Sequence, residues 1–485
     1  MEKMKDPEHL IIKIRDDILF NMDCNPYSAT YGCLDRDYWH YRMVREFPSS
    51  VFQAAVLPLA IIAKITDDKK ILHYVRAGFD FWRKIQNGNG SFSEWYRGEN
   101  SYVATAFTLC AILEAIEAAG YELGYKKYYK AFSAAARFLR DYEEKFVQNH
   151  TAGAAAALYK LYELTGTGEY EAGCLALLQK MGRRGSSEGW FYEYGGFDYG
   201  YHSVTLYYLD KVRHESAYEL LRRGATFLKQ VLPPDHTVPF SLGSRSTAYL
   251  FASPFAGPSL IKEGIAVPPP DVFMADTRYR FFFFYNDLLF YIMRSGLSSG
   301  ETAGPADNAD HTFLESGLVV RRRGNYQMIV NYKKNGNYVV VRNGKTESID
   351  NGIIAEKNGQ FYYSSFVNPA ATFQEDGDTI LIRGMLLPIP KNTFERRMLV
   401  PFKVFNATLG KMSMAANITD HLMKRLLVQK KRALGLAFER RIRLTSQGIS
   451  CIDSVEGTPT ILPSPPVSFG YSPTSNLFYP FPRVS

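Results

Sequence analysis

One short segment, residues 192–202, gathers many of the side chains that could transfer protons. It reads Tyr-Glu-Tyr-Gly-Gly-Phe-Asp-Tyr-Gly-Tyr-His and places four tyrosines, one histidine and two carboxylates around three glycines. Glycine lets a ligand approach the backbone closely, and phenol, imidazole and carboxyl groups can serve as general acids or bases. We therefore predict that this segment is functional, with Glu193 and Tyr199 as substrate-binding candidates.

Three further residues could hold an anion. Asn149 and His150 open a run of small residues, 151–157, which is typical of a buried helix. A helix start favours an anion because its first backbone N–H groups are unpaired, although Asn149 could instead simply cap the helix. Arg245, within Gly-Ser-Arg-Ser-Thr, could bind a carboxylate through two hydrogen bonds or lie in a surface turn.

Aromatic residues in nearby loops are typical of a surface that binds sugar rings. Two glycine-bearing loops, 86–96 and 189–194, carry aromatic residues and a glutamate, and a third cluster, 33–41, is dense in charges and aromatics. Such rings pack on a flat apolar face and keep a polar tip for hydrogen bonds. The alternative for the third cluster is a loop in which the rings simply pack. The substrate-binding candidates are Trp39, His40, Glu94, Trp95, Tyr96 and Trp190.

Several common chemistries lack their motifs. The sequence contains no phosphate-binding glycine loop, no dinucleotide fingerprint, no Gly-x-Ser-x-Gly elbow and no His-Glu-x-x-His. The five cysteines are scattered and form no Cys-x-x-Cys pair, so neither a zinc site nor a disulfide framework is indicated. We expect no cofactor and no metal.

The charge balance gives a weak indication of the partner. A formal net charge of +8 on 485 residues favours an acidic partner, but the basic and aromatic clusters of nucleic-acid modules are absent. Residues 1–20 have no apolar core of signal-peptide length, so we expect a cytoplasmic protein. The most apolar stretch, 281–293, is too short to span a bilayer and predicts a buried helix. The sequence does not indicate an oligomeric state.

The elements that must position these residues change type along the chain. Apolar residues recur at helical spacing in the first half, and the helices pair up, with similar aromatic loops after two of the pairs. Stacked helix pairs with aromatic loops on one side are typical of an α/α toroid, and a non-repetitive helical domain is the alternative. The predicted helices are Val51–Ile65, Ile71–Ile85, Tyr102–Ala119, Tyr128–Phe146, Ala152–Leu164, Tyr170–Met181, Val204–Val212 and Tyr218–Leu228.

A stretch rich in glycine and serine, 295–310, predicts a boundary between a helical domain, 1–300, and a second domain, 311–485. The second domain has short segments rich in Val, Ile, Tyr and Phe, punctuated by four Asn-Gly pairs that favour hairpins. We predict an antiparallel β-sheet domain whose last part, from Pro459, is irregular. The predicted strands are Leu318–Arg321, Gln327–Tyr332, Tyr338–Arg342, Phe361–Phe366, Thr379–Arg383 and Ala437–Leu444.

This order of elements, with Asn-His opening a toroid helix and Tyr-His ending a loop rich in glycine and tyrosine, resembles the heparinase II/III-like and oligoalginate lyase group of polysaccharide lyases. The resemblance implies an α+β multidomain fold, in which an incomplete (α/α) toroid precedes a sandwich-like antiparallel sheet domain. It also implies that Asn149 and His150 neutralise a uronate carboxylate and that Tyr201 transfers protons. The implied partner is an acidic polysaccharide or oligosaccharide.

The implied reaction is β-elimination, in which a base removes the proton next to the carboxylate and an acid protonates the departing oxygen. Such lyases usually have a histidine in a strand of the sheet domain, whereas residues 334–340 contain none. Either His202 serves as the base, or the protein keeps the substrate cleft of such lyases without their reaction and acts as a glycan-binding or assembly factor. Uronyl C5 epimerisation and glycoside hydrolysis are the other enzymatic alternatives, the latter with carboxylates drawn from Asp35, Glu94, Glu193 and Asp198.

Overall fold

The computed structural model describes residues 7–40, 45–120, 123–145, 147–251, 275–294, 309–389, 396–408, 410, 435–462, 468–472 and 477–481. Short 3₁₀ turns cover Ser50–Ala55, Tyr125–Lys127, Phe240–Leu242 and Tyr332–Lys334. A helical turn, Thr277–Tyr279, leads through a π-helical turn, Arg280–Phe284, into α11. The described helices are α1 (Pro7–Asn21), α2 (Arg36–Trp39), α3 (Val56–Thr66), α4 (Ile71–Lys84), α5 (Tyr102–Ala118), α6 (Tyr129–Asp141), α7 (Gln148–Thr165), α8 (Gly168–Arg184), α9 (Tyr199–Leu209), α10 (Glu215–Val231), α11 (Tyr285–Arg294) and α12 (Arg396–Ala407).

The helices from α3 to α10 form two layers. Helices α3, α5, α7 and α9 pack side by side in chain order, and each is followed by a partner, α4, α6, α8 or α10, that packs against it. The inner helices are buried along most of their circumference, as expected for helices that are apolar all round. The outer helices bury one face only. This is the arc of an α/α toroid, so the predicted fold of the first half is confirmed.

Close packing of the inner helices depends on small residues. A β-carbon at Gly153 on α7 would lie 2.3 Å from the Phe107 ring on α5. The following residues, 154–157, are all alanines and all fully buried. The small-residue run that the sequence places after Asn149 and His150 is therefore the surface on which α5 approaches α7.

The C-terminal region is made of antiparallel strands in two sheets and a separate hairpin. One sheet has the order β1-β2-β3-β4-β5, and the other has the order β11-β10-β9-β7-β6-β12 with β8 paired to β9, while β13 and β14 form the hairpin. The strands are β1 (His311–Thr312), β2 (Leu318–Arg323), β3 (Tyr326–Asn331), β4 (Asn337–Arg342), β5 (Lys345–Ile349), β6 (Ile354–Lys357), β7 (Gln360–Tyr363), β8 (Thr372–Asp376), β9 (Thr379–Pro388), β10 (Leu436–Thr445), β11 (Gly448–Val455), β12 (Thr460–Leu462), β13 (Ser468–Ser472) and β14 (Leu477–Phe481).

The central strands of the first sheet, β2 to β4, are buried on both faces along most of their length. Because side chains alternate along a strand, Leu318 and Val320 of β2 join the core of the helical region, whereas Val319 packs with Ile382 and Ile442 of the second sheet. The two sheets therefore stack as a sandwich, and the first of them also forms the contact with the helices. The predicted antiparallel sheet class is confirmed.

Two details of the sequence prediction were wrong. The stretch from Pro459 contains β12, β13 and β14 instead of running irregularly. The predicted helix 128–146 ends at Asp141, and the chain is extended at Tyr142. By contrast, the predicted buried helix at 281–293 is present as the π-helical turn and α11. Most of the predicted boundary stretch, 295–310, lies outside the described residues. In the part of the chain that the structure describes, each helix is too short or too polar to span a bilayer.

Candidate active site

Two hydrogen bonds between Gln148 and Tyr192 hold the start of α7 against the segment 192–202. The Gln148 backbone N–H donates to the Tyr192 carbonyl at 3.1 Å, and the Tyr192 N–H donates to the Gln148 side chain at 2.8 Å. These bonds satisfy one of the unpaired donors at the helix start. They also bring Asn149 and His150, the next residues of α7, beside Glu193.

Asp198 fixes the position of the catalytic candidates at the start of α9. One carboxylate oxygen accepts the Tyr201 backbone N–H at 3.1 Å and so caps the helix. The other accepts the N–H groups of Arg245 at 2.9 Å and Thr247 at 3.4 Å. A single buried carboxylate therefore joins the helix that carries Tyr201 to the loop that carries Arg245.

The sheet region supports this loop from behind. Lys334 is 1% exposed, and its ammonium group donates to the Ser246 hydroxyl at 3.2 Å. The Asn331 side-chain amide donates to the Leu242 carbonyl at 2.8 Å, and that of Asn337 donates to the Ser241 carbonyl at 2.9 Å. Residues 334–340, which contain no histidine, thus contribute a buried lysine that contacts Ser246, the residue after Arg245.

Glu193 lies at the centre of the candidate site. The Asn149 side-chain amide donates to one of its carboxylate oxygens at 2.6 Å, and the Arg245 guanidinium donates to the other at 2.7 Å. Burial raises the pKa of Glu193 to about 7, although Arg245 and His150 act in the opposite direction. Two of the three residues that the sequence analysis assigns to an anion, Asn149 and Arg245, are therefore joined to a carboxylate of the chain itself.

Tyr201 lies directly beside this ion pair. The Arg245 guanidinium carbon is 4.5 Å from the centre of the Tyr201 ring, and the Tyr201 hydroxyl is 3.1 Å from that of Tyr279. Burial raises the pKa of Tyr201 well above its ordinary value, against the lowering effect of Arg245. Tyr201 is thus protonated at neutral pH, and a cation is adjacent to stabilise a phenolate once its proton has been given away.

His150 is paired with a carboxylate that the sequence analysis did not identify. Its Nδ1 is 3.0 Å from Glu144 Oε2. An ionised carboxylate can only accept, so Nδ1 carries the proton and the neutral ring has its acceptor at Nε2. The ring also packs edge-on against Phe107. This arrangement is suited to a general base.

An exposed tryptophan lies at the rim of the site. Trp95 is 59% exposed, and the guanidinium carbon of Arg278 is 4.7 Å from its ring centre. Arg278 also lies 3.7 Å from the Glu94 carboxylate, whose second oxygen accepts from Ser101 at 3.2 Å. Burial raises the pKa of Glu94, while Arg278 and then His150 act to lower it. Trp95 thus offers an accessible ring face beside buried charged groups.

Three of the predicted site residues lie in the core instead. His202 is 1% exposed among Phe191, Phe197 and other rings, and its Nε2 is 3.0 Å from a backbone carbonyl. Burial lowers the pKa of His202 to about 4, so the ring is neutral. Tyr199 is fully buried. Trp190 is 1% exposed and donates to Glu188, which in turn accepts backbone N–H groups from the sheet region. These positions suit packing rather than contact with a substrate.

The remaining candidates belong to other surroundings. Trp39 is half-buried, donates its indole N–H to the Asn21 carbonyl at 2.8 Å and packs edge-on with the exposed His40. Tyr96 is 5% exposed, next to the accessible Trp95. The alternative carboxylate Asp35 is buried and accepts the backbone N–H of Ser49.

Five residues of the site were missed by the sequence analysis, or quoted without a role. Tyr194 lies in the tyrosine-rich segment and has the left-handed φ of 49°. Its ring faces Arg245 at 5.3 Å. No motif marks the others: Glu144 meets His150 six positions further along the chain, and the other three meet partners that are distant in the chain. They are Glu144, Arg278, Tyr279 and Lys334. Within the described ranges, no group of three or more His, Cys, Asp and Glu side chains could hold a metal ion.

Several solved structures are similar to this chain. Heparinase III is 12% identical, with a TM-score of 0.48 over 82% of this chain and 61% of that chain. A chondroitin AC lyase of Streptomyces coelicolor A3, in complex with chondroitin sulphate, is 12% identical, with a TM-score of 0.49 over 80% of this chain and 68% of that one. A Paenibacillus xanthan lyase is 10% identical, with a TM-score of 0.45 over 80% and 46%.

This chain therefore spans less than two thirds of the length of heparinase III and less than half of that of the xanthan lyase. No protein-family model matches the chain, and neither does any curated protein. At such identities and TM-scores, the similarity does not indicate what this chain acts on.

Proposed function

We propose that this protein is a polysaccharide lyase that cleaves a uronic-acid-containing glycan by β-elimination. The observation that carries the proposal is the group formed by Tyr201, Arg245, Glu193 and Asn149, which unites a protonated phenol, a cation and an amide donor. An elimination next to a carboxylate needs these functions together, because negative charge develops on the carboxylate as the proton leaves.

Tyr201 is the proposed general acid. As the bond between C4 and the glycosidic oxygen breaks, that oxygen takes the Tyr201 hydroxyl proton and leaves as an alcohol. The high pKa of Tyr201 keeps the proton available at neutral pH, and the Arg245 guanidinium, 4.5 Å from the ring centre, stabilises the phenolate that remains.

His150 is the proposed general base. Its Nε2 removes the C5 proton, and the electron pair forms the double bond between C4 and C5. The proton that Nδ1 donates to Glu144 fixes the tautomer and orients the ring. In this proposal His150 takes over the role that the sequence analysis considered for His202.

Arg245 and Asn149 are the proposed partners of the substrate carboxylate, and Glu193 occupies them in the structure. Glu193 has a pKa of about 7, so close to neutral pH it is protonated in a large fraction of molecules. A neutral Glu193 releases its ionic hold on Arg245, and an arriving uronate can then replace it.

The test follows the ultraviolet absorbance of the conjugated double bond, which elimination creates and hydrolysis does not. Purified protein is offered alginate, heparosan, hyaluronan and their oligosaccharides. We expect signal from at least one of them, and a loss of about 10²-fold or more in Tyr201→Phe. Tyr129→Phe is the matched control, because its hydroxyl also meets a second tyrosine hydroxyl, that of Tyr170, at 3.3 Å.

A folded Tyr201→Phe variant that keeps the wild-type rate would contradict the assignment of the acid. Binding without any absorbance change in the wild type would contradict the lyase proposal and favour a glycan-binding role.

A glycoside hydrolase is the second candidate function, and the state of two buried glutamates supports it. Glu94 and Glu193 are both buried with raised pKa values, and His150 lowers the pKa of each. A glycosidase needs two carboxyl groups, of which one is an acid with a raised pKa and the other is ionised. Glu193, however, already has both oxygens bonded by Asn149 and Arg245. New reducing ends without ultraviolet absorbance, lost in Glu94→Gln, would favour this candidate.

A further inference from the structure

A cavity lies beside the candidate active site, where the end of α8 meets the start of α7. Its volume is about 210 Å³. Three cationic side chains line it, from Lys145, Lys180 and Arg184, with Glu144 as the one carboxylate among the lining residues. The exposed ring of Tyr192 forms part of its wall. The cavity is open to solvent, the charged side chains that line it are mostly cationic, and one part of its wall is aromatic.

The three cations share one exchangeable partner. The exposed Glu143 carboxylate lies 3.0 Å from Arg184, 3.5 Å from Lys145 and 3.9 Å from Lys180. Exposed ion pairs of this kind contribute little to stability, so an incoming anion can replace Glu143. Burial and the adjacent Arg184 lower the pKa of Lys180, which is the result expected where like charges are held close together.

The cavity lies next to the candidate active site. Glu144 lines it and is also the partner of His150 Nδ1 at 3.0 Å. Gln148 and Tyr192 line it too, and each is followed in the chain by a residue of the site, Asn149 and Glu193. The cavity and the candidate active site are therefore neighbours, with Glu144, Gln148 and Tyr192 between them.

Resting on the proposed function, we propose that this cavity is an additional subsite that binds an acidic substituent, a carboxylate or a sulfate, on a sugar beyond the one that reacts. Lys180 and Arg184 bind the anion, and the Tyr192 ring packs on the sugar that carries it. The subsite would make the protein prefer glycans with closely spaced acidic groups over those with isolated ones.

Direct binding, measured by calorimetry, tests this without any need for turnover. The probes are a hyaluronan hexasaccharide, a chondroitin 6-sulfate hexasaccharide that adds sulfates to a similar backbone, a polymannuronate hexasaccharide with a carboxylate on every sugar, and inorganic sulfate. The variant is Lys180→Gln with Arg184→Gln. Arg183→Gln is the matched control, because Arg183 is exposed on the same helix and does not line the cavity.

We expect the double variant to lose about fivefold to tenfold in affinity for the densely acidic hexasaccharides, and much less for hyaluronan. The Arg183 variant should match the wild type. Equal loss for all three hexasaccharides, or no loss, would overturn the subsite and leave the proposed function standing. Sulfate binding in the cavity without binding of any hexasaccharide would overturn the subsite in favour of a free-anion site, and would count against the proposed function as well.

Discussion

Replacement of Asp198 with alanine should weaken both the fold around α9 and the candidate site. The carboxylate is fully buried and accepts three backbone N–H groups, from Tyr201, Arg245 and Thr247. Loss of a helix cap costs about 1–2 kcal/mol. Two further buried donors without partners each add ~1 kcal/mol or more. We therefore expect the variant to lose about 3–4 kcal/mol of stability.

Thermal unfolding followed by circular dichroism measures this loss. For a large domain, 1 kcal/mol corresponds to roughly 2–4 °C, so the midpoint should fall by about 6–16 °C. Asp198→Asn should fall less, because its remaining oxygen can still accept from Tyr201, while its amide group meets the N–H groups of Arg245 and Thr247. Both variants should lose activity, since Asp198 holds Tyr201 and Arg245 in register.

A second helix cap gives the control. The His214 ring accepts the Ser216 backbone N–H at 3.2 Å at the exposed start of the outer helix α10. His214→Ala should cost about 1 kcal/mol and leave activity unchanged. An Asp198→Ala protein that melts within about 2 °C of the wild type would refute the reasoning that this carboxylate supports the site.

Three further predictions concern single side chains. Burial lowers the pKa of His202 from 6.5 to about 4, so the neutral ring contributes stability above pH 6.5 that is lost as the pH falls through 4. Over that fall in pH, His202→Gln should gain about 3 kcal/mol of stability relative to the wild type. A difference in melting temperature that stays constant with pH would contradict this. The pH dependence of stability that comes from Glu193 has the opposite sign, because its raised pKa gives stability below pH 4.5 that is lost as the pH rises through 7. Over that rise in pH, Glu193→Gln should gain about 3 kcal/mol of stability relative to the wild type, again measured by melting temperature. Trp95→Ala should weaken oligosaccharide binding with little change in melting temperature, since the Trp95 ring is 59% exposed. Trp190→Ala should melt well below the wild type, because its ring is buried. A larger fall in melting temperature for Trp95→Ala than for Trp190→Ala would show that Trp95 is structural.

The elements that carry the site follow from local sequence patterns, whereas the contacts within the site do not. Helical and strand periodicities are local patterns, and the helices from α3 to α10 and six of the strands follow them. The helix α1, Pro7–Asn21, was missed because it buries only a narrow stripe, Ile11, Ile14 and Ile18, among charged residues. The strands β12 to β14 were missed because proline and serine predict irregular chain, whereas pairing with a neighbour decides whether such a segment is extended.

What the sequence by itself determined is which residue types are available and where the helices that carry them begin. Asn149 and His150 open α7 as predicted, and Tyr201 and His202 fall in the first turn of α9. Adjacent residues of a helix point about 100° apart, so only packing decided that Tyr201 meets Arg245 while His202 enters the aromatic core.

Only the tertiary structure decided the partners across the site. Glu193 meets Asn149 from 44 positions along the chain and Arg245 from 52 positions, and no local pattern encodes such contacts. The same applies to Lys334, which reaches the Arg245 loop from the sheet region. These groups come together because the toroid and the sheet bury their apolar faces against each other, and the buried charges must then find partners within the fold.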